Sequence, residues 1–263
     1  MNVLKRNNVN VIGNGEQYML FAHGFGCDQH VWDYIIDAFS DEYKLVLFDY
    51  VGAGKSDISA YNSDRYSSLA GYAEDVLDIC AALSIKDAIF IGHSVSSMIG
   101  LLASKKDPSI FSKLVFLGPS ACYINEPGYV GGFERQDLMG LFDMMDANYL
   151  GWSRALGPQI MGNPDRPELG DALTNNFCAT DPVIAGEFAR VTFLSDNRHD
   201  LSTLQVPSLT VQCSQDIIAP VEVGQYIAAN TPNNTYVLID AIGHCPHMSA
   251  PKATIDAIRA FIN

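Results

Sequence analysis

The stretch that decides the fold is Ala88-Ile89-Phe90-Ile91-Gly92-His93-Ser94-Val95-Ser96-Ser97, followed by Met98–Ser104. The first four residues are apolar and two are β-branched, which reads as a buried strand, and Met98–Ser104 reads as a helix. Ser94 falls on the turn between them. Such a turn is so sharp that its serine adopts a strained backbone while the hydroxyl projects above the sheet edge. Gly92, two residues before, leaves room for the turn. A small residue two positions after lets helix and strand pack closely, and here that residue is Ser96.

Outward from this unit, apolar runs rich in β-branched and aromatic residues recur at Tyr18–Ala22, Lys44–Asp49, Lys113–Gly118, Ser208–Cys213 and Thr235–Asp240. Helical spacing fills most of the gaps, for example Leu69, Tyr72, Ala73, Val76, Cys80 and Leu83, or Ile255, Ile258, Phe261 and Ile262 near the end. Alternating strand and helix units imply a mostly parallel sheet flanked by helices. Asn7–Ile12 faces Tyr18–Ala22 across Gly13-Asn14-Gly15, so an antiparallel hairpin is expected there. The alternation stops between residues 121 and 201, where helical patterns dominate and Gln136–Met161 is too apolar for a solvent-facing helix pair. The expected organisation is therefore a core of residues 1–120 and 202–263 carrying a helical cap, 121–201. A packed helical subdomain with no pocket is the alternative for that insertion.

A serine hydroxyl becomes a nucleophile at neutral pH only beside a histidine base, which an acid must orient. Asp216 follows the run Ser208–Cys213, and His244 follows Thr235–Asp240, so Ser94, Asp216 and His244 all fall just past strands of one sheet edge. This order, serine then acid then histidine, is one of the known chain orders for such a triad. His247 competes for the role of base, but it lies after Pro246 at the start of the last helical segment and is expected to pack there. Asp240 competes for the acid and is expected to be structural. The turn His23-Gly24-Phe25-Gly26 offers the Phe25 amide, and Val95 offers a second, as donors to the oxyanion of an acyl-transfer intermediate. His23 is expected to bond loop carbonyls and His93 to pack under the turn. Gly52-Ala53-Gly54-Lys55-Ser56 imitates a phosphate-binding loop, but Asp49 stands where that motif needs glycine. Asp49 and Ser56 are expected to tie this loop down.

Lys and Arg number 16 against 30 Asp and Glu, a net charge of −14, and no basic cluster exceeds Lys105-Lys106. Nucleic-acid binding and binding to anionic membranes are excluded by that balance. No apolar run approaches ~18 residues, and the first residues lack a signal-peptide core. Six scattered cysteines without C-x-x-C spacing point to reduced thiols in the cytoplasm rather than disulfides or a metal site. Neither metal nor cofactor is expected.

Taken together, His23-Gly24-Phe25-Gly26, Asp49–Asp57, Gly92-His93-Ser94-Val95, Asp216–Pro220 and Gly243–Ser249 resemble the α/β-hydrolase superfamily. More narrowly they are similar to the bacterial RsbQ proteins and the plant karrikin and strigolactone receptor hydrolases. The resemblance extends into Gly131–Glu134, Asn163–Glu168 and Phe177–Pro182. It implies an α/β-hydrolase fold with Ser94 as nucleophile, Asp216 as acid and His244 as base. It also implies oxyanion amides at Phe25 and Val95 beneath a four-helix cap. The usual glycine two after the nucleophile is Ser96 here. Two functions follow as expectations: an esterase acting on small, largely apolar esters or lactones, or a ligand sensor with slow hydrolysis and a signalling protein partner. Phe133, Trp152, Phe188, Val191 and Phe193 are expected to line the pocket beneath the cap.

Overall fold

Seven strands form one sheet in the computed structural model, which describes residues 2–263. They are β1 (Asn10–Ile12), β2 (Tyr18–Ala22), β3 (Lys44–Leu47), β4 (Ala88–His93), β5 (Phe111–Leu117), β6 (Ser208–Gln215) and β7 (Asn234–Ile242), in spatial order β1-β3-β2-β4-β5-β6-β7. All neighbours from β3 to β7 run parallel, and β1 alone is antiparallel. The ten α-helices among the described residues, in chain order, are α1 (Val3–Arg6), α2 (Leu69–Ala82), α3 (Val95–Lys106), α4 (Arg135–Ala147), α5 (Tyr149–Met161), α6 (Pro167–Ala179), α7 (Pro182–Phe193), α8 (Val221–Asn230), α9 (Pro246–Ser249) and α10 (Pro251–Ile262).

The central strands are buried on both faces, as a parallel sheet requires, and β4 is buried at every residue. Two apolar cores result. One, around Leu20, Phe48, Tyr72 and Phe90, lies beneath α2, α3 and α8; the other, around Phe21, Trp32, Leu117 and Ile258, continues into the helices between β5 and β6. No helix among the described residues is long and apolar enough to cross a membrane.

The expected hairpin between the first two strands does not form. β1 pairs with β3, Val11 opposite Val46, and β2 lies on the other side of β3. Burial explains the arrangement: β2 is almost wholly buried and takes an interior place, whereas all three residues of β1 are exposed and suit an edge. Gly13 and Gly15 serve a different purpose from a two-strand turn. A Cβ on either would strike the backbone of residues 40–43, so they let the chain lie directly against the segment leading into β3.

Between β5 and β6 the chain runs through α4, α5, α6 and α7. Asn148 ends α4 and caps α5, its side chain accepting from Gly151 N at 3.0 Å, which splits the apolar Gln136–Met161 stretch into two helices. α5 and α6 meet closely because Gly157 faces Thr174 and Gly170 faces Pro158; a Cβ at Gly157 would come 2.2 Å from the Thr174 hydroxyl.

Candidate active site

Parallel strands end on one edge, so the loops after β2, β4, β6 and β7 converge above it. Ser94 stands between β4 and α3 with φ 55° and ψ −123°. A non-glycine residue holds that backbone only when its surroundings fix it. Ser94 N–H donates to Leu117 O at 2.8 Å, which extends the ladder to β5 one residue past the strand. Gly92 is required because a Cβ there would lie 2.6 Å from Ser96 O. Ser96 fits the turn and also braces it. Its buried hydroxyl donates to His23 O, while Tyr50 Oη, 3.0 Å away, donates to it, so the side chain joins the loops after β2 and β3 to the turn.

Asp216 follows β6 directly. Its Oδ1 accepts from Ile218 N at 2.8 Å and Ala219 N at 3.1 Å, which fixes the carboxylate, and its Oδ2 accepts from His244 Nδ1 at 2.7 Å. With the proton on Nδ1, the other ring nitrogen is an acceptor, and Ser94 Oγ donates to His244 Nε2 at 2.7 Å. The Asp216 side chain is fully buried, and Ser94 and His244 are also buried. His244 owes its place to Gly243, whose φ is +94° and whose missing Cβ would lie 2.0 Å from Met161 O. His244 is further held by its own N–H, which donates to Ile160 O in α5 at 2.9 Å, and by its carbonyl, which accepts from His93 Nε2 at 2.9 Å.

The competing residues lie elsewhere. Asp240 is exposed and meets Ser214 Oγ at 3.3 Å rather than His244. His247 is fully buried against Trp32, ring centroids 4.5 Å apart. Burial, assisted by the nearby His244, pushes its pKa down from 6.5 to about 3. Burial also lowers His93, well below the usual histidine range, and lowers His23 despite Asp49 nearby. His23 Nδ1 donates to Gly24 O at 2.8 Å and its Nε2 accepts from Tyr50 N at 3.2 Å, a loop-bracing role. Asp49 accepts from Gln29 N and Lys55 N, both at 2.9 Å, so it anchors the loop that imitates a phosphate site.

A pH dependence follows from His247. Below pH 6.5 the unfolded chain takes up a proton that the folded chain refuses until about pH 3, so stability falls as pH falls through that window. Each pH unit costs about 1.4 kcal/mol per such histidine. Urea unfolding at pH 7 and pH 5 should show His247→Gln losing about 2 kcal/mol less than wild type over that step. An unchanged slope would contradict this account.

Neither the Phe25 nor the Val95 amide donates to a protein acceptor among the described residues. Val95 opens α3, where an N–H has no intrahelical partner. Above these amides lies a small apolar chamber walled by Phe25, Ile160, Leu173, Phe177, Phe193 and Ile218 around Ser94 and His244. A second cavity shares Phe25, Ile160, Phe193 and Ile218 with it, adds Phe133 and Trp152, and reaches the surface at the exposed Ile217.

Of the five expected wall residues, Phe193 lines the chamber itself, and Phe133 and Trp152 line the adjoining cavity. Phe188 does not face the chamber. It stacks on Tyr72, centroids 4.3 Å apart, and backs Phe25 at 5.7 Å. Val191 lies outside altogether, in a surface groove with Ser67, Leu102 and Leu194. Val191 is a matter of helix phase: it lies two residues, or 200° of rotation, from Phe193, which does line the chamber. Phe188 lies one turn before Thr192 on nearly the same side of α7, and there the Phe25 ring stands between it and the chamber. Phe177 and Leu173 were not anticipated, although Leu169, Leu173 and Phe177 repeat every four residues along one buried face of α6.

The sequence profile described as alpha/beta hydrolase fold matches residues 17–172. The chain belongs to the alpha/beta hydrolase fold family. Within that family it is similar to the karrikin insensitive 2 receptor CA of Petunia hybrida, 36% identical over 262 residues, covering 99% of this chain and 97% of that one. It is also similar to the strigolactone esterase D14 of Arabidopsis thaliana, 35% identical over 259 residues, covering 98% and 97% respectively. A solved hydrolase of Oleispira antarctica superposes with a TM-score of 0.95 at 44% identity, covering 100% of this alpha/beta hydrolase and 97% of its own chain.

Proposed function

We propose that this alpha/beta hydrolase is a serine hydrolase of carboxylesterase type, cleaving small, largely apolar esters or lactones through an acyl-enzyme. The observation that carries the reading is the unbroken chain of 2.7 Å contacts from Ser94 Oγ to His244 Nε2 and from His244 Nδ1 to Asp216, set beneath an apolar chamber. Ser94 Oγ attacks the carbonyl carbon as its proton passes to His244 Nε2. The Phe25 and Val95 amides then hold the oxyanion, and His244 gives the proton to the leaving alkoxide. Water, deprotonated by the same nitrogen, releases the acid and restores Ser94. Six free cysteines, five of them buried, support a reducing cytoplasm as the compartment.

The test is stoichiometric labelling with a small alkyl fluorophosphonate followed by intact and peptide mass measurement, alongside hydrolysis of short p-nitrophenyl esters. One adduct on Ser94 that abolishes turnover is expected. Labelling elsewhere with activity retained would overturn the assignment.

A second reading, a ligand sensor with slow hydrolysis and a protein partner, is favoured by similarity to receptor-named relatives over 99% of the chain. Turnover number separates the two: many cycles per minute on simple esters support an esterase, whereas one slow cycle with a shifted Tm supports a sensor.

A small apolar chamber also sets acyl length. Wild type should favour C2–C6 acyl esters over C12–C16. Trp152→Ala, which removes a wall of the adjoining cavity, should move the optimum several carbons longer. Equal activity across the series in wild type would argue for an open groove.

A further inference from the structure

Apart from Ser94, the side chains lining the chamber include one hydroxyl, and it has no partner. Thr192, second from the end of α7, is 1% exposed and lines the chamber with Ser94 and His244. Its Oγ1 has no hydrogen-bond partner among the described residues. A helical serine or threonine ordinarily bonds the carbonyl four residues back. Thr174 does so to Gly170 O at 2.8 Å, Thr254 to Ala250 O at 3.0 Å and Ser153 to Tyr149 O at 2.8 Å. Thr192 does not. Valine has nearly the same shape and would close the wall without leaving a buried polar atom unpaired, which is the costly arrangement. The chamber's other unpaired polar atom is His93 Nδ1, and the Gly24 backbone covers it so closely that a Cβ there would lie 2.6 Å away.

We infer that the Thr192 hydroxyl is a specificity-determining group that hydrogen-bonds a substrate oxygen other than those of the reacting ester. The chamber therefore takes small esters and lactones bearing a second oxygen function, as an ether, ketone or hydroxyl, in preference to hydrocarbon ones of the same shape. This deepens the hydrolase reading and rests on it for the chemistry, though not for the binding.

The experiment compares p-nitrophenyl methoxyacetate with p-nitrophenyl butyrate, which differ by one oxygen in place of a methylene. Intrinsic reactivity divides out when the ratio of kcat/KM values is compared between proteins. Thr192→Val should lower the methoxyacetate-to-butyrate ratio about 3- to 10-fold, the effect of one neutral hydrogen bond. Thr192→Ser should keep the wild-type ratio, and a Tm for Thr192→Val at or above that of wild type verifies its folding. The same ratio in Thr192→Val and wild type would overturn the inference and leave the hydrolase reading standing. If wild type cleaves neither ester, that reading falls, and binding to Ser94→Ala decides the rest. Tighter binding of methyl methoxyacetate than of methyl butyrate, lost on adding Thr192→Val, supports the inference, whereas equal binding or none overturns it.

Discussion

Ser94→Ala should lower kcat on p-nitrophenyl butyrate by about 10⁴–10⁶-fold, because it removes the atom that attacks while leaving everything that waits for the oxyanion in place. The residual rate then reports the Phe25 and Val95 amides and the chamber walls alone. Folding should survive the change. The strained turn is fixed by Ser94 N–H on Leu117 O, by Gly92 and by Ser96, none of which needs the Ser94 hydroxyl. Its side chain meets His244 Nε2 at 2.7 Å and Tyr123 Oη only at 3.4 Å. A near-native Tm with most activity retained would show that the ester is cleaved elsewhere.

Asp216→Asn should cost about 10⁴-fold in kcat, for a reason that depends on proton position rather than packing. Oδ1 of Asp216 accepts from two backbone amides, Ile218 N and Ala219 N, so an asparagine here must keep its carbonyl oxygen towards them. Its NH₂ then faces His244 Nδ1, which must become the acceptor. The neutral imidazole carries its proton on Nε2, pointing at Ser94, and cannot take another. The loss should be in kcat, with KM little altered, since Asp216 does not line the chamber. A fall in KM-dependent binding with kcat preserved would refute the tautomer argument.

The site was legible because each of its parts is local in sequence. Ser94, Asp216 and His244 each sit one or two residues past a strand, and a parallel sheet brings all such positions to one edge. The turn at Ser94 could be read from Gly92 and the strand before it. The pairing of β1 with β3 could not, because two glycines before β2 signal a turn equally well whether the strand folds back on β2 or passes over to the chain entering β3. The chamber was half legible for a related reason. Apolar residues on α7 are easily recognised, but α7 is buried on two sides, against Tyr72 and against Phe25. Periodicity alone does not say which side holds the ligand.

His244 is tied to α5 by its own backbone, through the 2.9 Å bond from its N–H to Ile160 O, and Asn163 Nδ2 adds a 2.9 Å bond to Ile242 O beside it. The helix whose Ile160 lines the chamber is thus a latch on the His244 loop. Any opening that lifts the end of α5 breaks that latch and frees the loop that aims the imidazole. The same hydrogen bonds therefore fix two things at once, a wall of the chamber and the aim of the imidazole, so a substitution that loosens the end of α5 is felt at His244 as well as at the wall.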